Sequence, residues 1–488
     1  MKSLRSAALL SIAFLASATA HSTRKSLNFG PRHPTARYVT EPQLTSTLVA
    51  SHDPLDVAKS FLSAYTTSEY YIREDSYTDR NTGVTHVYAR QKVDGLEVAD
   101  GDINLNIRDG RVLSYGDSFY RGAAPASFDK RPSSSHATHC ADMATEKMAL
   151  SGGDRQMVFA ELSHTPDELY TQNCARPLAA VQEAFTANAN GDSHDPRRAA
   201  LYFMIAAHAD AATDGSGYNN ANFMTPPDGQ NGRCRMYIWN TASPYRDGDL
   251  EAGIVIHELT HGLSTRLTGG PANSGCLGWG ESGGMGEGWG DFLATTIRST
   301  KQYKDFPMGS WAANEINGIR NYVYSTNITV NPSTYKTLDK PGYWGVHAIG
   351  EVWAEILWVV SQRMIAKHGY SNTLFPPQPL EDGTVPIGDF YRPQIMGKPL
   401  VPKHGNTLMT QLVISGMKLQ PCRPSFFDAR DAIIQADELL TGGENFCELW
   451  AGFASRGVGT DASLRGGTPW GGGVHADGFK LPAKCKSE

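Results

Sequence analysis

Residues 254–262, IVIHELTHG, carry the pattern H-E-x-x-H. The apolar residues before the first histidine, and Leu263 after the second, predict a helix with one buried flank. On a helix, His257 and His261 lie one turn apart on one face, so both imidazoles can reach a single Zn²⁺ ion. Glu258 sits beside them and can reach a metal-bound water. Taken alone, the pattern also fits an amphipathic helix with two surface histidines.

A second segment, GEGWGD at residues 286–291, supplies a candidate for the third ligand. A catalytic zinc site needs three protein ligands and an open position for water. Glu287 follows the second histidine by 26 residues, which is enough for a loop and a return on a second helix. Asp291 comes one helical turn later, where it can accept the free N–H of a histidine ligand. Glu281 competes for the ligand role, and the carboxylate one turn away favours Glu287.

Longer stretches around these motifs have a family resemblance. HELTHGLSTRLTGGPANSGC and ESGGMGEGWGDF resemble the fungalysin family of secreted fungal metallopeptidases, which are relatives of thermolysin in the gluzincin group. The resemblance runs from about Asp214 to the C-terminal end, over more than half the chain. It implies one zinc ion per chain, held by His257, His261 and Glu287, with Glu258 as the general base. It leaves calcium open as a further ion.

The resemblance also implies residues that act on the substrate. His347, in the segment GVH, resembles the histidine that steadies the tetrahedral intermediate in thermolysin-like enzymes, and such a hydrolase needs a donor for the oxyanion. Asn220 and Ala221 resemble the edge strand on which those enzymes lay an extended peptide. Arg320 resembles the arginine that holds a substrate carbonyl, with a surface arginine as the alternative. Separately, Asn327 begins the sequon N-I-T, which predicts an N-glycan.

The N-terminus predicts secretion into the extracellular space. A basic start, a short apolar run and a small-residue cleavage site give residues 1–20 the three parts of a signal peptide. A secreted chain enters an oxidising compartment, where its seven cysteines can form disulfides. Cys422 and Cys447 bracket a helix-like stretch, and we expect these two to be joined. The odd count leaves one thiol unpaired or intermolecular.

The composition excludes other classes of protein. Lys and Arg total 44 against 50 Asp and Glu, so the net charge of −6 provides no basic surface for nucleic acid. Beyond the N-terminus there is no run of 18 apolar residues, so no transmembrane helix is predicted. The expected partners are therefore extracellular proteins and peptides as substrates, together with the chain's own propeptide, and neither nucleic acid nor a membrane.

The upstream patterns give the domain organisation. Residues 55–120 combine a helical pattern, alternating strands and an Asp-Gly turn, and they resemble the fungalysin/thermolysin propeptide module. That module assists folding and inhibits the enzyme in its family. We therefore assign residues 21–125 to a propeptide, 126–200 to an unassigned segment and 201–488 to the catalytic metallopeptidase domain.

Together these patterns predict an α+β fold. A small α/β propeptide module precedes a thermolysin-like, two-lobed metallopeptidase whose C-terminal lobe is mostly helical. Only 97 residues separate Tyr120 from Tyr218, so the N-terminal β-rich lobe is expected to be reduced. The expected function is a secreted zinc metalloendopeptidase made as a zymogen. The alternative is a secreted zinc-binding protein that is catalytically impaired by the internal shortening.

Overall fold

The protein is seen here as a computed structural model, whose described residues fall in several ranges. They are 37–42, 53–93, 95–121, 204–208, 218–226, 232–278, 280–302, 305–378, 380, 382, 384–465 and 473–485. The predicted signal peptide, residues 1–20, and the unassigned segment, residues 126–200, lie outside them.

The N-terminal module comprises the described residues between 37 and 121, in which a helix packs on an antiparallel sheet. Its elements are β1 (Arg37–Val39), α1 (Pro54–Tyr65), β2 (Glu69–Ile72), β3 (Tyr77–Thr78), β4 (Thr85–Val93), β5 (Leu96–Arg108) and β6 (Arg111–Asp117). The strand order is β1-β6-β5-β4-β2, with β3 paired to β4. Asp53 caps α1 by accepting from the Leu55 N–H, and Pro54 occupies the first turn. The helix, strands and turn predicted for this region are present.

The sheet of the module has an apolar face and a polar face. On β5, Ile103, Leu105 and Ile107 pack against the apolar side of α1. Asn104 and Asn106 alternate with them and point to the opposite face. Such alternation usually leaves the polar face in water, but here both asparagines are buried. The polar face of this sheet is therefore covered by another part of the molecule.

The cover is the helical lobe, which starts at Ala252. Its helices are α2 (Ala252–Leu267), α3 (Gly280–Arg298), α4 (Ser310–Ala313), α5 (Val346–His368), α6 (Gly405–Leu419), α7 (Phe426–Thr441) and α8 (Phe446–Ser455). At the end of α6, the Leu419 carbonyl accepts hydrogen bonds from Asn106 Nδ2 at 2.9 Å and from Asn104 Nδ2 at 3.3 Å. The module is thus docked on the lobe through polar side chains.

Short strands lie between the module and the lobe and within the lobe. A small sheet has the order β7-β9-β8, formed by β7 (Met204–His208), β8 (Ala221–Met224) and β9 (Gly232–Met236). Antiparallel pairs join β10 (Ile238–Trp239) to β11 (Arg246–Asp247), β12 (Asp305–Phe306) to β13 (Tyr324–Ser325) and β14 (Ser463–Arg465) to β15 (Val474–Ala476). The predicted α+β class and the mostly helical C-terminal lobe are confirmed. Among the described helices, none has the length and apolar character that a membrane span requires.

Helix α2 is buried almost all round, although its sequence predicted one buried flank. It packs against β8 and β9 on one side and against α3 and α6 on others. Helix α3 in turn lies very close to α5. A Cβ placed on Gly288 would come within 2.7 Å of the Gly350 carbonyl oxygen, so only glycine permits this separation. The glycine-rich sequence of α3 therefore sets the spacing of the central helices.

Disulfides join Cys276 to Cys422 and Cys447 to Cys485, so the predicted Cys422–Cys447 pair is wrong. The two cysteines of that predicted pair lie beyond opposite ends of α7, which has 16 residues. A helix of this length separates its ends by roughly 24 Å, whereas disulfide-bonded Cα atoms lie within about 7 Å. Bracketing a helix therefore argues against a disulfide rather than for one.

A buried ion pair also joins the module to the lobe. The Lys418 ammonium lies 2.8 Å from the Asp79 carboxylate, and both side chains are almost fully buried. His86 lies opposite Asn106 on the polar face of the sheet, with its Nδ1 2.7 Å from Asn106 Oδ1, and its ring packs on Tyr77. Burial lowers the pKa of His86 to about 4; the charge of Asp79 and the hydrogen bond that His86 donates to Asn106 Oδ1 oppose that shift, and Lys418 adds to it.

Acidification is expected to destabilise the docked structure through His86. An exposed imidazole takes up a proton below about pH 6.5, whereas the buried one does so only near pH 4. Neutral His86 therefore leaves the free energy of unfolding undiminished above pH 6.5. As the pH falls from 6.5 towards 4, the free energy of unfolding decreases by about 3 kcal/mol in all. Thermal unfolding midpoints should fall more steeply with acid for the parent chain than for His86→Gln, which takes up no proton. Parallel pH profiles for the two would contradict this assignment.

Candidate metal centre

Helix α2 presents His257 and His261 on one face, since they lie four residues apart, and contacts of Glu251 fix the start of the helix. Glu251 precedes the helix, and its carboxylate accepts hydrogen bonds from the backbone N–H groups of Trp311 and Ala312, both at 3.1 Å. The rings of His257 and His261 follow one turn apart, with centroids 4.9 Å from each other. The spacing read from the sequence therefore places both imidazoles side by side.

Glu287 of α3 is the third side chain of the candidate metal centre, beside His257 and His261. Its Oε2 lies 3.0 Å from His257 Nε2 and 3.7 Å from His261 Nε2. One ligand atom from each of the three side chains lies within 4.8 Å of the other two. Glu281 is elsewhere, since its Oε1 accepts from the Tyr335 hydroxyl at 3.2 Å. The structure therefore brings together the favoured third ligand and not its competitor.

Asp291 fixes the orientation of the His257 ring through a hydrogen bond to Nδ1. Its Oδ1 lies 2.6 Å from His257 Nδ1, so the Nδ1–H donates to the carboxylate and Nε2 is turned towards Glu287, where a metal ion would use its lone pair. Arg320 donates to Asp291 through Nε at 2.7 Å and Nη2 at 2.8 Å, and the Tyr324 hydroxyl donates to Asp291 Oδ2. The sequence predicted Asp291 in this position, but nothing in the spacing pointed to Tyr324.

Gly290 has no side chain, and this leaves space for the imidazole ring of His257. A Cβ at this position would lie 2.6 Å from His257 Nδ1, which is closer than real Cβ atoms approach another atom. Sequence reasoning missed this residue. A glycine inside a helical pattern weakens the helix and points to a packing or functional requirement, so the GEGWGD segment did contain the signal.

The charges of the group suit a metal ion. Burial alone would favour an uncharged Glu287, but His261 and His257 outweigh it and hold the pKa of Glu287 well below its usual range. Burial lowers the pKa of His261 to about 4. Burial also disfavours a charged His257, but Asp291 and Glu287 raise the pKa of His257 to about 10. A metal ion at this place would compete with protons for the imidazole nitrogens and the carboxylate.

Glu258 lies beside the group without a hydrogen-bond partner for one oxygen. The side chain is 5% exposed, and its Oε2 contacts no donor among the described residues. Burial raises the pKa of Glu258 to about 7; the charge of His257 opposes the shift and that of Glu287 adds to it. A carboxylate with a pKa near neutrality and an open oxygen is suited to accept and return a proton.

The predicted substrate residues lie around this centre in different settings. His347, in the first turn of α5, has a half-exposed side chain whose Nε2 is 3.3 Å from Glu287 Oε2. Asn220 is exposed just before β8, and Ala221 begins that strand, which is at the edge of its sheet. Arg320 is buried against Asp291. Asn327, exposed on the surface, accepts from the Thr329 N–H at 3.0 Å.

The residues present fit a zinc ion. Two imidazole nitrogens and one carboxylate oxygen are the donor set of catalytic zinc sites with a His₂Glu ligand group. The hydrogen bond from His257 Nδ1 to Asp291 leaves Nε2 aimed at Glu287, as a metal-bound histidine requires. His257, His261 and Glu287 are therefore the residues that would hold the metal.

Comparison with known proteins places the chain in a family. A family model described as fungalysin metallopeptidase (M36) matches residues 206–462, and one described as fungalysin/thermolysin propeptide motif matches residues 68–119. The chain is 56% identical over 254 residues to extracellular metalloproteinase MEP of Neosartorya fischeri. It is 56% identical over 252 residues to extracellular metalloproteinase 9 of Coccidioides posadasii.

The aligned parts cover 51% of this chain in both comparisons, and 37% and 36% of the two relatives. The chain thus spans little more than a third of the length of these relatives. The family model alone covers more than half of the chain, and the resemblance found in the sequence is confirmed. The chain belongs to the fungalysin (M36) metallopeptidase family.

Proposed function

We propose that the protein is a secreted zinc-dependent metalloendopeptidase, made as a zymogen, that hydrolyses peptide bonds of extracellular proteins. The observation that carries the proposal is the convergence of His257, His261 and Glu287 within 4.8 Å, beside the buried Glu258. Membership of the family and the relatives named extracellular metalloproteinase support it. The proposed signal peptide, residues 1–20, provides the route out of the cell.

Each residue of the site has its own role in the proposed hydrolysis. A bound zinc ion would lower the pKa of a coordinated water and polarise the scissile carbonyl. Glu258 accepts the proton of the attacking water at its open Oε2 and later returns it to the leaving amine. His347 Nε2 donates a hydrogen bond to the oxyanion that develops on the carbonyl. Asp291 keeps His257 in the tautomer that offers Nε2.

Substrate binding is proposed at the edge of the small sheet. An extended peptide can pair with the backbone at Asn220 and Ala221 by strand addition, since β8 is an edge strand of the sheet β7-β9-β8 as far as the described residues show. Arg320 is proposed as a contact to a substrate carbonyl, and its present partner is Asp291. Asn327 is proposed to carry a glycan.

The zymogen form is proposed from the module. Residues 21–125, which include the segment matched by the propeptide model, would act as inhibitor and folding aid until removed, and residues 201–488 would form the enzyme. A second candidate, a zinc-binding protein with impaired catalysis, is favoured by one observation. Only 86 residues lie between the segments matched by the propeptide and metallopeptidase models, which is short for a further inhibitory segment and a full β-rich lobe.

Removal of the metal is expected to abolish hydrolysis. Azocasein cleavage by the purified protein should fall to the blank level with 1,10-phenanthroline and return when zinc is added, because only the metal-loaded site activates water. A calcium-selective chelator serves as the control and should leave the rate unchanged if calcium has no role. Cleavage that resists phenanthroline would contradict the proposal. A protein that binds one zinc ion per chain and shows no cleavage would support the second candidate.

A further inference from the structure

The N-terminal module contacts the helical lobe at two loops that a disulfide joins. The first loop, residues 268–278, follows α2 and carries Cys276; the second, residues 420–425, follows α6 and carries Cys422. We call them the paired loops. The two cysteines are 146 residues apart in the sequence. Bringing their thiols together in an unfolded chain is entropically costly, because the cost rises with the length of the loop closed.

One set of contacts fixes the first of the paired loops. Arg73, between β2 and β3, donates from Nη1 to the Gly269 carbonyl at 3.0 Å. Asp75 accepts from the Ala272 N–H at 2.9 Å and is itself held by Arg73 Nε at 2.9 Å. Gly269 packs directly on the disulfide, since a Cβ there would lie 2.3 Å from Cys276 Sγ. Holding the backbone of this loop therefore holds Cys276.

A second set of contacts fixes the other loop. Asn106 and Asn104 donate to the Leu419 carbonyl at 2.9 and 3.3 Å, and Asn104 also reaches the Gln420 carbonyl at 3.4 Å. These carbonyls lie two to three residues before Cys422. Lys418, one residue earlier still, is paired with the module at the buried ion pair. The β2–β3 connection of the module thus holds the first loop, and the polar face of its sheet holds the chain that leads into the second.

We propose that the N-terminal module is a template for the Cys276–Cys422 disulfide. By binding both paired loops at once, it raises the effective concentration of one thiol at the other, as a linker does for two binding sites. In the step itself the two thiols lose two protons and two electrons to form the S–S bond. An external disulfide such as oxidised glutathione takes them up and becomes two thiols.

The Cys447–Cys485 disulfide offers an internal reference. Its cysteines are 38 residues apart, one in the first turn of α8 and the other near the end of the described chain. A template confined to the paired loops should accelerate the first disulfide and leave the second unaffected. A general effect of the module on folding would change both.

The test is oxidative refolding of the full-length reduced chain in a glutathione buffer. A zinc chelator is present so that self-cleavage does not remove the module. Samples are quenched over time, digested without reduction, and the two disulfide-linked peptide pairs are quantified by mass spectrometry. The double variant Asn104→Ala/Asn106→Ala removes the asparagine hydrogen bonds to the Leu419 and Gln420 carbonyls, and Arg73→Ala removes a contact to the first loop.

The matched control is Gln91→Ala. Gln91 is a buried amide of the same sheet, and its Nε2 donates to Ser68 Oγ and to the Tyr120 carbonyl, both within the module. The two variants at the interface should form Cys276–Cys422 roughly tenfold more slowly relative to Cys447–Cys485, since each loses hydrogen bonds to a loop. Gln91→Ala should keep the parent ratio.

Two results would overturn the proposal. If the interface variants slow both disulfides by the same factor, the module acts on the lobe as a whole and not on the paired loops. If they change neither rate, the contacts have no part in pairing the cysteines. The readout is disulfide formation, so it is independent of whether the metal centre hydrolyses peptides.

Discussion

Replacing Glu258 by glutamine is expected to lower kcat for peptide hydrolysis by roughly three orders of magnitude, with zinc binding retained. Glutamine has nearly the volume of glutamate and keeps an oxygen at the end of the side chain, but it cannot accept a proton from water at neutral pH. Folding should be little affected, because burial already raises the pKa of Glu258 to about 7 and the neutral form is close to an amide. Hydrolysis of a fluorogenic peptide and metal content per chain are the measurements.

The control for this change is Glu281→Gln. Glu281 is another buried carboxylate, and its Oε1 accepts from the Tyr335 hydroxyl and from the Phe426 N–H. The same substitution there should leave kcat near that of the parent chain. A Glu258→Gln protein that binds zinc and hydrolyses peptides as fast as the parent would exclude Glu258 as the general base.

The second large effect is expected at Gly290. Gly290→Ala places a methyl group 2.6 Å from Nδ1 of the His257 ring and 2.8 Å from two of its carbons. The ring cannot move aside freely, because its Nδ1 is bound to Asp291 at 2.6 Å. Overpacking of this kind costs about 1–3 kcal/mol. We expect zinc affinity to fall at least about tenfold and the thermal unfolding midpoint to fall as well.

Gly286→Ala is the matched control in the same helix. A Cβ there would meet Leu277 Cβ at 3.6 Å, which is an ordinary contact. Because alanine favours a helix over glycine by about 1 kcal/mol, this variant should be as stable as the parent or more so, with unchanged zinc affinity. Zinc titration and thermal unfolding compare the zinc affinity and the unfolding midpoint of both variants with those of the parent chain. Parent-like zinc affinity in Gly290→Ala would show that the ring is not clamped as described.

The parts of the centre that depend on local periodicity could be predicted from the sequence. His257 and His261 meet because a helix repeats every 3.6 residues, and Glu287 with Asp291 follows the same rule on α3. Tyr324 reaches Asp291 only through the packing of β13 against α5 and the helices beside it, so no spacing could reveal it. Helical spacing therefore predicted the three metal ligands and Asp291, but not Tyr324, which donates a hydrogen bond to Asp291.

Long-range features were predicted less well for a similar reason. The alternation of Ile103, Asn104, Leu105 and Asn106 correctly predicted a strand with two unlike faces. The alternation shows which face of the strand is polar, but it does not show what packs against that face. The burial of both asparagines under the helical lobe was therefore not predicted. The predicted cysteine pair failed likewise, since the expectation rested on two cysteines that bracket a helix, and the lobe joins two distant loops instead.

The docking of the module has a consequence for the kinetics of activation. Within one chain the module and the lobe are tethered, so their contact does not depend on protein concentration. A cut beyond Arg121 would turn the same contact into a bimolecular complex with a dissociation constant. A concentrated preparation of cut protein would then keep its module bound, whereas dilution would release it. Cleavage and liberation would become separate events, with the second governed by mass action.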